Sequence, residues 1–261
     1  MTGSTTGNTR RELFDAHLHI IDNRFPLVPN HGFLPEAFTC ADYLNRMQGY
    51  TLLGGAVVSG SFQGSEQAYL LHALARLGPS FVGVTQLPAT VADDELLRLN
   101  TLGVRAIRFN LQRGGSEDIR HLEHLARRVH EVVGWHVELY ADARELADLF
   151  DTLVSLPAVS IDHLGLSRAG FATVVRLAEK GVKIKATGFG RGDLEVGRAL
   201  RDLYAANPEA LMFGTDLPST RAARPYTDTD YALVRDTLGE AGATRVFFAN
   251  ALMFYKPRAA G

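Results

Sequence analysis

His17 and His19 stand two residues apart in the run Asp15-Ala16-His17-Leu18-His19. Side chains alternate along a strand, so at the end of a strand both imidazoles point the same way. Two imidazoles side by side suit a divalent metal, or a substrate group that needs two nitrogen donors. A hydrogen-bonded structural pair is the plainer alternative. Two later apolar stretches end in matching chemistry: Ser160-Ile161-Asp162-His163 in a histidine, and Phe213-Gly214-Thr215-Asp216 in a carboxylate. On one shared rim, His17, His19 and His163 could take a divalent ion. Asp216 would then be a further ligand or the base that activates water. The plain alternatives are a local Asp162-His163 pair and a turn at Asp216 before Pro218.

Positioning these residues falls to a series of short apolar runs: Glu12–Ala16, Leu53–Val58, Phe81–Gln86, Val104–Phe109, His136–Tyr140, Val159–Asp162, Val182–Ala186 and Leu211–Gly214. Most are rich in Val, Ile and Phe and too short for helices. Helical periodicity fills the gaps at Asp93–Leu102, Ser116–Val133, Asp142–Leu153, Ala169–Lys180, Asp193–Ala206, Asp228–Glu240 and Thr244–Tyr255. Asp193 and Asp228 are expected to cap helix starts, and Gly181 to follow a helix end. Eight alternating βα units predict a parallel (β/α)₈ TIM barrel whose catalytic mouth lies at the strands' C-terminal ends. An open doubly wound sheet is the rival. It usually carries a Gly-rich turn after its first strand, where this chain has its histidines. The irregular stretch Asp22–Phe38 follows strand one, where a lid over the mouth would start.

The chain has 261 residues, one barrel's length, and is 46% hydrophobic and 21% charged. A formal charge of −2 gives no reason to expect nucleic acid or an anionic membrane as partner. No apolar run approaches the ~20 residues needed to span a bilayer. The single cysteine, Cys40, forms no internal disulfide, which suits a reducing, cytoplasmic setting. Residues Met1 to Arg10 read as a flexible tail before one domain over residues 11–261. A homo-oligomer is compatible with the sequence but not indicated by it.

The ordered set Asp15-Ala16-His17-Leu18-His19, Ile161-Asp162-His163 and Gly214-Thr215-Asp216 resembles the amidohydrolase superfamily, in its amidohydrolase 2 branch. Within that branch, Val104-Arg105-Ala106-Ile107-Arg108-Phe109-Asn110 and Gly134-Trp135-His136-Val137-Glu138-Leu139-Tyr140 resemble the 2-pyrone-4,6-dicarboxylate lactonase group. The resemblance runs over residues 11–256. It implies Asp216 as general base, with His17, His19 and His163 polarising the scissile carbonyl directly or through a metal. It implies Arg108 and Tyr140 as holders of a substrate carboxylate or carbonyl, and Ser61 as a substrate contact. Arg113 stands one residue off the spacing of a second family arginine, and Arg191 is a further anion-binding candidate. Binuclear members bridge their metals from strand four, where this chain offers Asn110; one divalent ion, zinc foremost, or none is the expectation.

The remaining charged and aromatic residues have two readings each. His136 shares strand parity with Glu138 and Tyr140, as a core histidine or a substrate contact. Arg108 and Lys185 could serve structural ion pairs. His121, His124 and His130 belong on an outer helix face, and Arg221 and Arg224 lie in a loop that faces substrate or solvent. The resemblance points to a hydrolase that opens a small, carboxylated lactone. The alternatives are a metal-dependent decarboxylase or a lactone isomerase on the same scaffold, or a non-catalytic ligand-binding barrel.

Overall fold

A computed structural model describes residues 11–258; the expected tail, Met1 to Arg10, lies outside them. Eight strands form one parallel sheet in chain order: β1 (Arg11–Leu18), β2 (Tyr50–Val58), β3 (Phe81–Thr85), β4 (Val104–Asn110), β5 (His136–Tyr140), β6 (Val159–Ile161), β7 (Lys183–Ala186) and β8 (Leu211–Phe213). All eight expected strands are present. Helices alternate with them: α1 (Cys40–Arg46), α2 (Ala68–Leu77), α3 (Asp93–Thr101), α4 (Leu122–Val133), α5 (Leu146–Ser155), α6 (Phe171–Glu179), α7 (Val196–Ala206), α8 (Asp228–Thr244) and α9 (Asn250–Tyr255). The architecture is the expected (β/α)₈ barrel. No described helix is long and apolar enough to cross a membrane.

The seam between β8 and β1 is held by the residues just past β8. Asp216 N donates to His17 O at 2.7 Å, and Thr215 N donates to Asp15 Oδ1 at 2.8 Å. Gly214 makes this approach possible. A Cβ there would sit 2.5 Å from His17 N. Asp15 therefore stitches the barrel shut beside the very residues that carry His17 and Asp216.

Two apolar layers hold the barrel. Leu13, Val57, Ile107, Leu139, Ile161, Ile184 and Phe213 pack in the large cluster shared with the helices. Phe14, Ala16, Ala56, Val58, Val84, Ala106 and Met212 form a second, smaller cluster that Tyr255 of α9 joins. Tyr255 stacks on Phe14 and donates its hydroxyl to Glu138 Oε1 at 2.6 Å. The C-terminal helix thus reaches a buried charge on β5.

Several boundaries differ from expectation for identifiable reasons. Asp193 does not cap α7, because it accepts the backbone N–H of Arg168; Glu195 caps the helix through Gly197 N and Arg198 N instead. Thr227, not Asp228, caps α8 in a reciprocal box with Asp230. The stretch from Ser116 begins with a 3₁₀ turn, Ile119–His121, before α4. The two C-terminal helices are nearly continuous, broken at Gly239 (φ 68°) and joined by a π turn, Arg245–Ala249. α1 and α2 were not expected. The segment after β1 folds back, with an antiparallel bridge Ile21–Phe38 at its base and another, Asn30–Phe33, at its tip.

Candidate active site

Charged side chains fill the barrel interior below the mouth, each delivered by a different strand. Lys185 (β7) is fully buried and donates to Glu138 (β5). Its Nζ also lies 3.2 Å from His17 Nδ1 and 3.4 Å from Asp162 Oδ1. Arg108 (β4) grips Asp162 Oδ2 through Nε at 3.0 Å and Nη2 at 2.7 Å, and donates to Ser59 O. Burial alone would raise the Asp162 pKa, but Lys185 and Arg108 outweigh it and hold the carboxyl well below its ordinary value. Buried charges persist only when paired in this way.

His17 and His19 lie together at the mouth, ring centroids 5.0 Å apart. β1 is not regular on the way there. Its register with β2 shifts between Leu13 and Phe14, and again between Asp15 and Leu18. His19 Nδ1 meets Val58 O at 2.7 Å, and a carbonyl only accepts, so this nitrogen carries the proton. His19 Nε2 lies 3.7 Å from Asp216 Oδ1. His17 Nδ1 faces Lys185 Nζ and also Asp162 Oδ1, at 3.4 Å. Lys185 as donor makes His17 Nε2 an N–H; Asp162 as acceptor makes it a lone pair. Burial first, then the Lys185 charge, lowers the His17 pKa to about 3, so the ring is neutral.

His163 follows β6 in a 3₁₀ turn with φ 53°, a left-handed conformation unusual for a side-chain-bearing residue. Its Nδ1 is 2.8 Å from Thr187 Oγ1, and its ring lies 4.9 Å from His17 and 4.8 Å from Tyr140. Gly188 is required beneath it, since a Cβ there would meet His163 Nδ1 at 2.7 Å. Burial keeps this imidazole neutral as well.

Asp216 also has a left-handed backbone, φ 59°. Arg191 Nε donates to its Oδ2 at 2.6 Å. Its Oδ1, fully buried, has no hydrogen-bond partner among the described residues, and the same holds for His17 Nε2, 3.9 Å away. Burial works to raise the Asp216 pKa; Arg191 and the neighbouring imidazoles outweigh it and hold the carboxyl far below its ordinary range.

Above these atoms sits a small cavity of about 30 Å³, rimmed by His19, Ser61, Arg108, Arg113, Tyr140, His163, Arg191 and Arg221, with Asn110 and Thr220 between them. The structure therefore gathers most of the residues singled out from the sequence. His136 is the exception. It is buried lower on β5, hydrogen-bonded to Glu138 Oε1 at 3.2 Å with its ring tilted against Phe254 at a centroid distance of 4.0 Å, and does not line this cavity. Its parity was read correctly, but its depth makes it a satisfied core histidine. Arg224 also turns elsewhere, to Asp230. Sequence reasoning missed Asp162 and Glu138 as members of the site's charge network. The only available signal was their charge within apolar strands.

Residues 14–256 match a family described as Amidohydrolase. The chain is 29% identical over 156 residues to a 2-pyrone-4,6-dicarboxylate hydrolase from Comamonas testosteroni, covering 58% of this chain and 51% of that protein. It thus spans about half the length of that relative. It is 23% identical over 269 residues to a D-galactarolactone isomerase from Agrobacterium fabrum, covering 94% of this chain and 91% of that one. A crystal structure of a probable 2-pyrone-4,6-dicarboxylic acid hydrolase from Acinetobacter baumannii superposes with a TM-score of 0.82 at 20% identity, covering 94% and 99% of the two chains. At that identity the likeness speaks for the fold.

Proposed function

The chain belongs to the amidohydrolase family, and from that premise we propose that it is a hydrolase that opens a small, carboxylated lactone by attack of water. One observation carries this reading. Asp216 offers an ionised, unpartnered Oδ1 toward His17 and His19, beside a cavity rimmed with arginines. A buried carboxylate oxygen without a donor is costly unless a ligand or water completes it.

In the proposed reaction, Asp216 Oδ1 takes a proton from water while the water oxygen attacks the lactone carbonyl. The tetrahedral intermediate collapses by breaking the ring C–O bond, and the leaving oxygen takes the proton back from Asp216. Arg191 holds the carboxylate in place but also weakens it as a base. A substrate carboxylate drawn to Arg191 shares that cation's charge and restores basicity at the moment of binding. Tyr140, Ser61 and Arg113 line the space where the ring and its carboxylate would sit. The neutral His17 serves the carbonyl oxygen as a hydrogen-bond donor when Lys185 is its partner.

The donor set also fits one divalent ion. In a neutral ring with its proton on Nδ1, His19 Nε2 offers a lone pair toward Asp216 Oδ1, and His17 completes a group of three whose ligand atoms lie within 4.8 Å of one another. His17, His19 and Asp216 would hold the ion, with zinc favoured by imidazole and carboxylate donors, and it would supply Lewis-acid polarisation of the carbonyl. His163 belongs to an overlapping group with His17 and Asp162.

Ring migration is the second reading, supported by the isomerase relative that matches almost the whole chain. Product mass separates the two: hydrolysis adds one water, isomerisation adds none. The test of the main reading is Asp216→Asn on a panel of carboxylated lactones. A fall in kcat of roughly 10²-fold or more is expected for loss of a general base. Full activity in this variant would remove Asp216 from the mechanism.

A further inference from the structure

Lys185 is fully buried and does not line the cavity, yet it reaches an imidazole that the reaction uses. Ile184 and Ala186 on either side of it belong to the apolar cluster shared with the helices, so alternation along β7 turns Lys185 into the barrel. Glu138 fixes its position. Glu138 Oε2 accepts from Lys185 Nζ, while Oε1 is occupied by the Tyr255 hydroxyl at 2.6 Å and His136 Nε2 at 3.2 Å. A buried ion pair is weak evidence for a role in stability, because packed apolar residues serve as well. The third contact of this lysine, His17, is the one that apolar residues could not replace.

Two groups compete for His17 Nδ1. An ammonium carries three N–H donors and no acceptor, so Lys185 only donates. Its contact with His17 Nδ1, at 3.2 Å, has hydrogen-bond geometry. Asp162 Oδ1 only accepts. It stands 3.4 Å from the same nitrogen but makes no hydrogen bond with it or with any other described residue. Arg108 accounts for that orientation, since it grips the other oxygen, Oδ2, through Nε and Nη2. Lys185 therefore takes Nδ1, and a neutral ring then carries its proton on Nε2. His17 Nε2 has no hydrogen-bond partner among the described residues, and neither has Asp216 Oδ1, 3.9 Å away. That separation is too long for a hydrogen bond between the two.

We propose that Lys185 is a positioning residue: by donating to His17 Nδ1 it holds the imidazole proton on Nε2 and so presents an N–H, beside Asp216, to the carbonyl oxygen on which negative charge develops. The use of that N–H rests on the lactone reading above; the tautomer rests on the geometry alone. A divalent ion on His17 Nε2 needs the opposite tautomer, with the proton on Nδ1. Lys185 thus sets which of two roles the imidazole takes, donor to substrate or ligand to metal.

The experiment reads the tautomer directly. Long-range ¹H–¹⁵N spectra of the purified protein with ¹⁵N-labelled histidine show which ring nitrogen of His17 carries the proton, the signal being assigned by its loss in His17→Gln. Wild type is expected to carry it on Nε2. In Lys185→Met/Glu138→Gln the cation and its carboxylate partner leave together, and the proton is expected to move to Nδ1, facing Asp162. On a lactone that wild type opens, this double variant should lose roughly 10²-fold in kcat with KM little changed, as for a contact made only in the transition state. Glu138→Gln alone breaks the ion pair but keeps the donor, and should keep both the Nε2 proton and most of kcat, which a purely structural pair would not. A wild-type His17 protonated on Nδ1 overturns the proposal, whether or not the double variant folds. So does a double variant whose proton stays on Nε2, or whose tautomer changes while kcat does not. If no lactone is turned over, the lactone reading falls, and the spectra still decide what Lys185 does to His17.

Discussion

Arg191 Nε donates to Asp216 Oδ2 at 2.6 Å and leaves Oδ1 of the same carboxylate free to face His17 and His19. The two oxygens of one side chain thus have separate jobs: one is anchored, the other is available for chemistry. The anchor fixes orientation and keeps the group ionised, at the expense of basicity.

That division sets the pH dependence. With its folded pKa held far below the ordinary value, Asp216 stays ionised at every pH above about 4. The acid limb of kcat/KM should therefore not appear between about pH 5 and 8. In Arg191→Gln the largest influence opposing burial is lost and only the neighbouring imidazoles remain against it, so the limb should move up toward that window as kcat/KM falls. pH–rate profiles of both proteins check this. A wild-type limb near pH 6 that ignores the substitution would show that another group controls activity.

Lys185 is expected to be the most costly single truncation in the barrel. Lys185→Met leaves Glu138 and Asp162 buried with one cation fewer, a loss of about 3–5 kcal/mol for breaking a buried pair. Adding Glu138→Gln should recover part of it. Urea unfolding of the single and double variants measures both numbers. A single variant within about 1 kcal/mol of wild type would mean that the cluster tolerates an unpaired charge.

The sequence announced the strands and the rim because each carries a local signal: a short apolar run, or a polar residue at its end. It did not announce which charges meet across the interior. Glu138 and Lys185 come from β5 and β7 and Asp162 from the residue just past β6, and only closure of the barrel brings them to His17. The regular alternation assumed for β1 led to the right place through a strand that shifts register twice. His136 shows the limit of parity, which gives the face but not the depth. α1 and α2 went unread although Leu70, Ala73 and Leu74 mark a buried face on α2, because turn-rich flanks obscured the period.

Metal stoichiometry follows from the residues at the mouth. His17, His19 and Asp216 converge, while the end of β4 offers Asn110, whose Oδ1 accepts the backbone N–H of Arg113. Elemental analysis of the purified protein should find no more than one divalent ion per chain. Two tightly held ions would contradict the arrangement and require a bridging ligand elsewhere.

Asp15 gives a stability prediction of opposite sign to the usual carboxylate. It accepts hydrogen bonds from Thr215 N, Thr215 Oγ1, the Tyr43 hydroxyl and His17 N, yet burial outweighs these donors and pushes its pKa up to about 6. A carboxyl that holds its proton more tightly folded than unfolded makes stability fall as pH rises from about 4 through 6. The shift corresponds to about 3 kcal/mol at most. Asp15→Asn cannot titrate, and it sets an amide against the Thr215 and His17 donors. The variant should be less stable than wild type throughout, and the gap should widen as pH falls from 7 to 5. Denaturant unfolding across that range tests it. A gap that narrows on acidification would mean that the four donors win over burial. Because the same bonds hold Thr215 next to Asp216, Thr215→Val should lose about 1–3 kcal/mol and also lower kcat, by loosening Asp216, the proposed base, from its place beside His17.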